Sequence, residues 1–581
     1  MLLAVLRQFV HPYRWPVAAV MALQTVSALA SLYLPTVNAA IIDDGVARGD
    51  TALIARLGLV MLAVTALQGL CAIGAVFFGS RTGMGFGRDL RTAMFHHATG
   101  FSEPEIDRFS AASLLTRTTN DVQQIQLLVQ TTATVLVTAP IMCVGGVVMA
   151  LRENAGLAWL LAISVPVLAI GNYLIAARML PIFRSMQRLI DGLNRVVREQ
   201  LSGIRVIRAF TREPLERERF AVANFALADT GLAAGRVQAL LVPVTTLTIN
   251  ISTVALIWFG GLRIDAGQMQ VGSLIAFLSY FMQILMAVLM ATLVLVILPR
   301  ASICAERILD VLNTAPAITS PPSPHHPATG IRGVVTLDGA GFSYPGAKRA
   351  VLERISFTAA PGSVTAVVGG TGSGKTTLVS LICRLYDVSA GSIRVDGIDI
   401  RDYDLDDLWS AVGLVPQRGY VFSGTVADNL RYGKHDATED EMWAALRVAD
   451  ADGFIGAHPD GLAMRVAQGG VNFSGGQRQR LTIARAVIRR PAVYIFDDSF
   501  SALDVHTDAR VRAALREATG DATVIIATQR ISTVVDADQV IVLDGGTMVG
   551  AGTHQTLLAR CPAYAEFVDS QTVGTGVGGA P

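Results

Sequence analysis

The sequence predicts two different domains in one chain: a bundle of six long membrane-crossing helices, then an α/β domain built around a phosphate-binding loop. Three observations carry this. Of 581 residues, 52% are hydrophobic and only 16% charged, with a mean hydropathy of +0.48, too apolar for a soluble protein of this length. Six windows without Asp, Glu, Lys or Arg fall in the N-terminal half, at 15–42, 57–80, 122–151, 154–177, 237–262 and 266–299. The C-terminal half carries Gly369-Gly370-Thr371-Gly372-Ser373-Gly374-Lys375-Thr376, a glycine loop closed by the Lys-Thr pair.

Each charge-free window holds an apolar run of about 20 residues, enough for a helix to cross roughly 30 Å of hydrocarbon. Orientation follows from arginine. The connections after the first, third and fifth windows offer Arg48, Arg152 and Arg263, whereas Arg81, Arg88, Arg91, Arg108 and Arg117 lie between the second and third. The stretch from Arg178 to Arg236 is equally basic. Both basic stretches are expected to be cytoplasmic, with both termini and the second domain, in the cell's inner (plasma) membrane. They exceed ordinary loop length and keep helical periodicity, so the helices should continue well into the cytoplasm.

Residues 1–10 are apolar with Arg7 the only charge, which predicts an interfacial helix rather than a cleaved leader. The expected divisions are a membrane domain at 1–311, a Pro-rich linker at 312–333, a nucleotide domain at 334–570 and a Gly-rich, disordered tail at 571–581. A net charge of +1 gives no field for nucleic acid, which is not an expected partner. Cys71, Cys143, Cys304, Cys383 and Cys561 are scattered and odd in number, supporting neither a disulfide framework nor a zinc site. His96-His97 and His325-His326 are expected at the surface, because helical neighbours one apart face different ways.

The phosphate loop follows an apolar strand at 364–368 and precedes a helix, so it sits at a helix N-terminus, where anions bind. Gly372 and Gly374 allow backbone conformations that a Cβ would obstruct. Lys375 should reach the β- and γ-phosphates, and the Thr376 hydroxyl should ligate Mg²⁺. A Rossmann fingerprint would explain neither residue. A second apolar strand, Val493-Tyr494-Ile495-Phe496, ends in Asp497, a carboxylate suited to holding Mg²⁺ through its water shell.

From residue 1 to about 570 the chain resembles a half-transporter of the ABC exporter family, membrane domain first and cassette second. That resemblance implies six long transmembrane helices followed by an α/β P-loop cassette with a helical subdomain, binding ATP and Mg²⁺. Phe473-Ser474-Gly475-Gly476-Gln477 matches the family signature, which contacts a partner's ATP. Tyr344 matches the aromatic that stacks on adenine, and Gln417 the loop glutamine that senses nucleotide. With Gly369, Gly370, Thr371, Gly372, Ser373, Gly374, Lys375, Thr376 and Thr377 they form the implied ATP site; Thr376, Gln417 and Asp497 form the implied metal set. Ser501-Ala502-Leu503-Asp504 matches the D-loop, and 203–210 and 109–122 resemble the two cytoplasmic coupling regions.

Two departures stand at catalytic positions. Asp498 replaces the family's glutamate and Gln529 its switch histidine, while Gln468 replaces a common glutamate ahead of the signature. Asp498 is one methylene short, withdrawing its carboxylate by about 1.5 Å, and a base must lie within about 3 Å of its proton. Gln529 can hydrogen-bond but cannot become cationic beside a developing phosphate anion. In this family two cassettes sandwich two ATPs, each site borrowing the other cassette's signature. An intact signature beside altered hydrolytic residues implies an asymmetric pair: a degenerate, ATP-retaining site here, and a partner half-transporter with the consensus Glu and His. The expected cargo is a small hydrophobic or amphipathic compound, a drug or lipid, with membrane lipids surrounding the bundle. Asn250, Tyr280, Phe281, Met282, Gln283 and Met286 are the candidate cavity residues. Import by the same fold, as in siderophore transporters, and a nucleotide-sensing regulatory subunit are the alternative expectations.

Overall fold

Apolar stretches of this length leave the backbone one way to satisfy its hydrogen bonds in hydrocarbon, which is to form helices. The computed structural model describes residues 1–327 and 330–572. Its helices long and apolar enough to span are Leu2–Val46, Thr51–Thr99, Ala111–Glu153, Ala155–Ser202, Glu213–Asp265 and Val271–Ala291. The 49-residue helix Thr51–Thr99 extends roughly 70 Å at about 1.5 Å per residue, more than twice the hydrocarbon thickness, as the periodicity beyond the windows predicted. Leu59, Leu62, Leu70, Ile73 and Phe77 on that helix are exposed, the composition that a lipid-facing surface requires.

The chain divides into two compact units. The first comprises Met1–Gly100 and Ser110–Ala315; the second, Pro316–Pro581 together with the short segment Phe101–Phe109. Within the first unit, Tyr280 and Phe281 are fully buried in the apolar core, with the Tyr280 hydroxyl donating to the Leu32 carbonyl at 2.9 Å. Their expected place in a cavity is therefore corrected to core packing; a helix apolar all round gives no cue to which face points inward. Met282, Gln283 and Met286 do line a cavity of about 450 Å³, along with Gln24, Thr138 and Met142. Asn250 is exposed and does not line it. His97 is a second correction: it is half-buried, with Nε2 2.8 Å from the Thr314 carbonyl. His325 and His326 are exposed as expected, and His326 Nδ1 lies 2.6 Å from Asp407.

Among the described residues, the second unit is built on twelve strands: β1 (Val335–Phe342), β2 (Leu352–Ala359), β3 (Val364–Val368), β4 (Ala390–Val395), β5 (Ile398–Asp399), β6 (Val412–Val415), β7 (Gly424–Thr425), β8 (Arg465–Val466), β9 (Val493–Asp497), β10 (Thr523–Thr528), β11 (Gln539–Asp544) and β12 (Thr547–Gly552). Ten of them form one sheet in the order β5-β4-β1-β2-β12-β11-β3-β10-β9-β6, and β7 pairs with β8 separately. The run β11-β3-β10-β9-β6 is parallel, and its central strands are nearly continuous Val, Ile and Ala because both faces are covered. One core packs helix Lys375–Ile382 against the sheet, a second joins the sheet to the helical subdomain through Leu430, Met442, Leu446 and Leu481, and a third packs Leu557 and Tyr564 on β3 and β11. Register decides the site: Val368 pairs with Thr528, and Ala527 with Asp497, so β3, β10 and β9 end side by side. Ligands of open α/β sheets bind at that carboxyl edge.

Helix Pro562–Thr572 runs two residues into the segment expected to be disordered. It does so because the Gln571 side chain finds backbone partners, donating to the Gln529 carbonyl at 2.6 Å and accepting from the Ile531 N–H at 3.0 Å. The rest of that tail lies outside the described residues.

Candidate nucleotide site and signature

The phosphate loop turns from β3 into helix Lys375–Ile382 through Gly372 at φ +82° and Gly374 at φ +97°. A Cβ on Gly374 would stand 2.6 Å from a Leu352 methyl, so the position requires glycine on two counts. Buried Lys375 donates to the carbonyls of Gly369 at 2.8 Å and Gly370 at 2.7 Å, and to Ser373 Oγ at 3.3 Å. Burial pushes its ammonium below the usual lysine range, opposed by Asp498 and Asp497. An ammonium so placed gains from any anion brought to the loop.

Thr376 Oγ1 donates to Asp497 Oδ1 at 3.1 Å, joining the helix start to the end of β9. Burial raises the Asp497 carboxyl above its ordinary value; the Thr376 hydrogen bond works against that, and Asp498 adds to it. Gln417 Nε2 lies 3.4 Å from Asp498 Oδ2, so loop glutamine and both carboxylates converge. A hydroxyl, a buried carboxylate and an amide, all hard oxygen donors, suit Mg²⁺. Asp498 itself sits at φ 43° with its N–H held by the Ala527 carbonyl at 2.7 Å. Gln529, immediately after β10, accepts at Oε1 from Thr371 Oγ1 at 3.3 Å. The structure thus brings together Thr371, Lys375, Thr376, Gln417, Asp497, Asp498 and Gln529.

Tyr344 shares a hydrogen bond with Thr377 Oγ1 at 3.1 Å, and its ring stands edge-on to Phe342 and Tyr386. The Tyr386 hydroxyl donates to Asp107 at 2.9 Å, on the helix Glu103–Phe109. Burial, joined by that hydrogen bond, holds the Tyr386 phenol well above its usual value.

The signature is a separate construction. Ser474 caps helix Gly475–Arg489: its Oγ accepts from the Gln477 N–H at 3.2 Å, and Gln477 Oε1 accepts from the Ser474 N–H at 2.9 Å. Phe473 anchors the turn in the subdomain core, leaving Ser474 and Gly475 exposed at a helix N-terminus, a geometry that receives anions. Gly476 packs closely: a Cβ there would lie 3.2 Å from the Ala502 carbonyl of the D-loop. Asp504 closes that loop by capping helix Val505–Ala518 through the Thr507 N–H at 3.0 Å. Gln468 is exposed in the turn before the signature.

Sequence reasoning missed several positioning residues. Gln479, fully buried, accepts from the Gly419 N–H at 2.9 Å and donates to the Pro416 carbonyl at 3.0 Å, bracketing Gln417. Arg530 donates to the carbonyls of Phe500, Ser501 and Leu503. The sequence cue available for Gln479 was its place two residues past the signature; Gln571 had none.

Comparison with known proteins agrees with this architecture. Residues 17–288 match the ABC transporter transmembrane region and residues 352–501 the ABC transporter cassette family. An uncharacterized ABC transporter ATP-binding protein of Mycobacterium tuberculosis (strain H37Rv) is 69% identical over 100% of both chains. A fatty acid ABC transporter ATP-binding/permease protein of Mycobacterium bovis is 35% identical, over 78% of this chain and 71% of its own. A multidrug efflux ATP-binding/permease protein of M. tuberculosis is 32% identical, over 93% of this chain and 45% of its own. The solved structure of a bacterial Atm1-family ABC exporter with ATP bound superposes with a TM-score of 0.79 at 26% identity, covering 98% of this chain and 99% of that one. The chain belongs to the ABC transporters, as a half-transporter of exporter type with the membrane domain fused to its ATP-binding cassette.

Proposed function

We propose that this chain is the ATP-retaining half of an asymmetric exporter pair in the inner membrane, moving hydrophobic or amphipathic compounds, drugs or lipids, out of the cytoplasm. The single observation that carries this is the pairing of Asp498 and Gln529, at the end of β9 and just after β10, with a fully formed signature at Ser474–Gln477. Lys375 and the loop N–H groups would hold the phosphates, and Thr376 and Asp497, with Gln417 beside them, would hold Mg²⁺, which would supply positive charge to neutralise the phosphates. Asp498 is too short to serve as the base, and Gln529 offers no cation. The exposed Ser474 hydroxyl and Gly476 N–H complete the site on a partner half-transporter carrying Glu and His. The Met-rich, uncharged lining of the membrane cavity supports an apolar cargo. So do the fatty acid and multidrug names of two relatives. The arginine distribution supports cytoplasmic termini and an ATP site on that side.

The test is steady-state ATPase on the purified pair, with the Walker lysine replaced in one subunit at a time. Lys375→Ala should leave part of the turnover, and the equivalent change in the partner should remove it. Robust turnover by this chain as a verified homodimer, abolished by Lys375→Ala, would overturn the asymmetric reading.

A further inference from the structure

One continuous set of contacts runs from the phosphate loop to the signature without leaving the cassette. Thr371 donates to Gln529 at 3.3 Å. The next residue, Arg530, spreads its guanidinium over the D-loop backbone: Nη1 donates to the carbonyls of Phe500 and Leu503 at 3.3 Å each, and Nη2 to that of Ser501 at 2.6 Å. The carbonyl left out of this grip, Ala502 O, faces the signature, 3.2 Å from where a Gly476 Cβ would stand. On the opposite edge of the switch loop, Gln571 pairs with the backbone on both sides of Arg530, through the Gln529 carbonyl and the Ile531 N–H.

These contacts leave the switch loop little slack. Its far edge is pinned to the C-terminal helix, so a shift of Gln529 against the phosphate loop is passed through Arg530 rather than absorbed locally. The guanidinium is a rigid planar fork, and three carbonyls on one fork move together. The D-loop carbonyl it does not hold, that of Ala502, lies beside Gly476, with the Leu503 side chain next to it. We propose that Arg530 is a positioning residue for the other ATP site, carrying the state of the site built on Lys375 to the signature this chain donates, with Gln571 as its backstop. The proposal rests on the reading that the signature serves a partner cassette.

The experiment uses the full-length pair and reads three quantities: kcat, KM, and labelled ATP retained on this chain. Arg530→Ala should lower kcat about 3- to 30-fold, with KM and retention unchanged. Arg530→Lys, which keeps the charge but not the fork, should not rescue it. Combining Arg530→Ala with Lys375→Ala should give a loss no greater than the larger single one, because both cut the same path; multiplied losses would overturn the proposal. If Arg530→Ala prevents assembly, Gln571→Leu decides. It should lower kcat in the same direction without changing retention, and an unchanged kcat there overturns the idea. If Lys375→Ala alone abolishes turnover, the asymmetric reading falls instead, and Arg530 is judged by whether its alanine variant lowers kcat at constant KM and retention.

Discussion

Thr371 Oγ1 lies 3.3 Å from Gln529 Oε1, so the residue at the switch position reaches the phosphate loop with a neutral amide. Beside it, the Asp498 carboxylate meets the Gln417 amide at 3.4 Å. Both side chains are in place but chemically mild, which makes the site repairable. In a pair whose partner lacks its Walker lysine, Asp498→Glu with Gln529→His should raise ATP turnover by about 10²-fold, and either change alone by less. Phosphate release measures this, and no gain from the double variant would mean that some other residue limits hydrolysis.

The signature should be more sensitive than the local catalytic position. Nothing lies within 4 Å of a Cβ built on Gly475, so Gly475→Asp should fold normally. It should nearly abolish turnover by placing a negative charge where a γ-phosphate must dock, as should the bulk of Ser474→Arg. Asp498→Asn should do much less, since it removes no working proton acceptor. ATPase and dye efflux at matched expression give the order. Equal inactivation by Asp498→Asn would make Asp498 a working base.

Retention of nucleotide should depend on the metal set. Thr376 Oγ1 and Asp497 Oδ1 are already 3.1 Å apart, close enough to serve a common cation. Chelation should release labelled ATP from this chain, and Asp497→Asn should weaken retention about 10- to 100-fold, on the scale of losses at metal-supporting positions. Counting retained label after a chelating wash checks both.

ATP affinity here should fall with rising pH earlier than for an ordinary lysine site. Burial lowers the Lys375 ammonium from its usual value, so the neutral form enters below the ordinary value of about 10.4. Phosphate binds the protonated form, so binding is strongest at the low-pH end and weakens as pH climbs through the depressed value. A fluorescent ATP analogue titrated between about pH 7 and 10 should show this in the native chain. Lys375→Ala should bind weakly with no such slope.

Most of the nucleotide site was legible because each part is local grammar: a strand, then glycines, then a lysine. The parallel register of β3, β10 and β9 does the rest by bringing three strand ends together. What escaped was what depends on side-chain direction or distant pairing. Tyr280 looked like a cavity residue because its helix is apolar on every side. His97 looked exposed because its partner, a backbone carbonyl at Thr314, has no sequence identity to read. Arg530 stands beside a recognised position, yet its partners are carbonyls that any residue supplies.

The hydroxyl of Tyr386 and the carboxylate of Asp107 are 279 residues apart in the chain. At a synthesis rate of about 5–20 residues per second, Asp107 leaves the ribosome roughly 14–56 s before its partner. During that interval the helix Glu103–Phe109 lacks the Tyr386 hydroxyl that its Asp107 accepts from, while the rings of Phe101 and Phe109, close in the chain, can already stack. The nascent chain therefore carries a segment of its nucleotide unit while the membrane helices are still being made. Slowing translation between these two residues lengthens the time for which that segment waits for its partner.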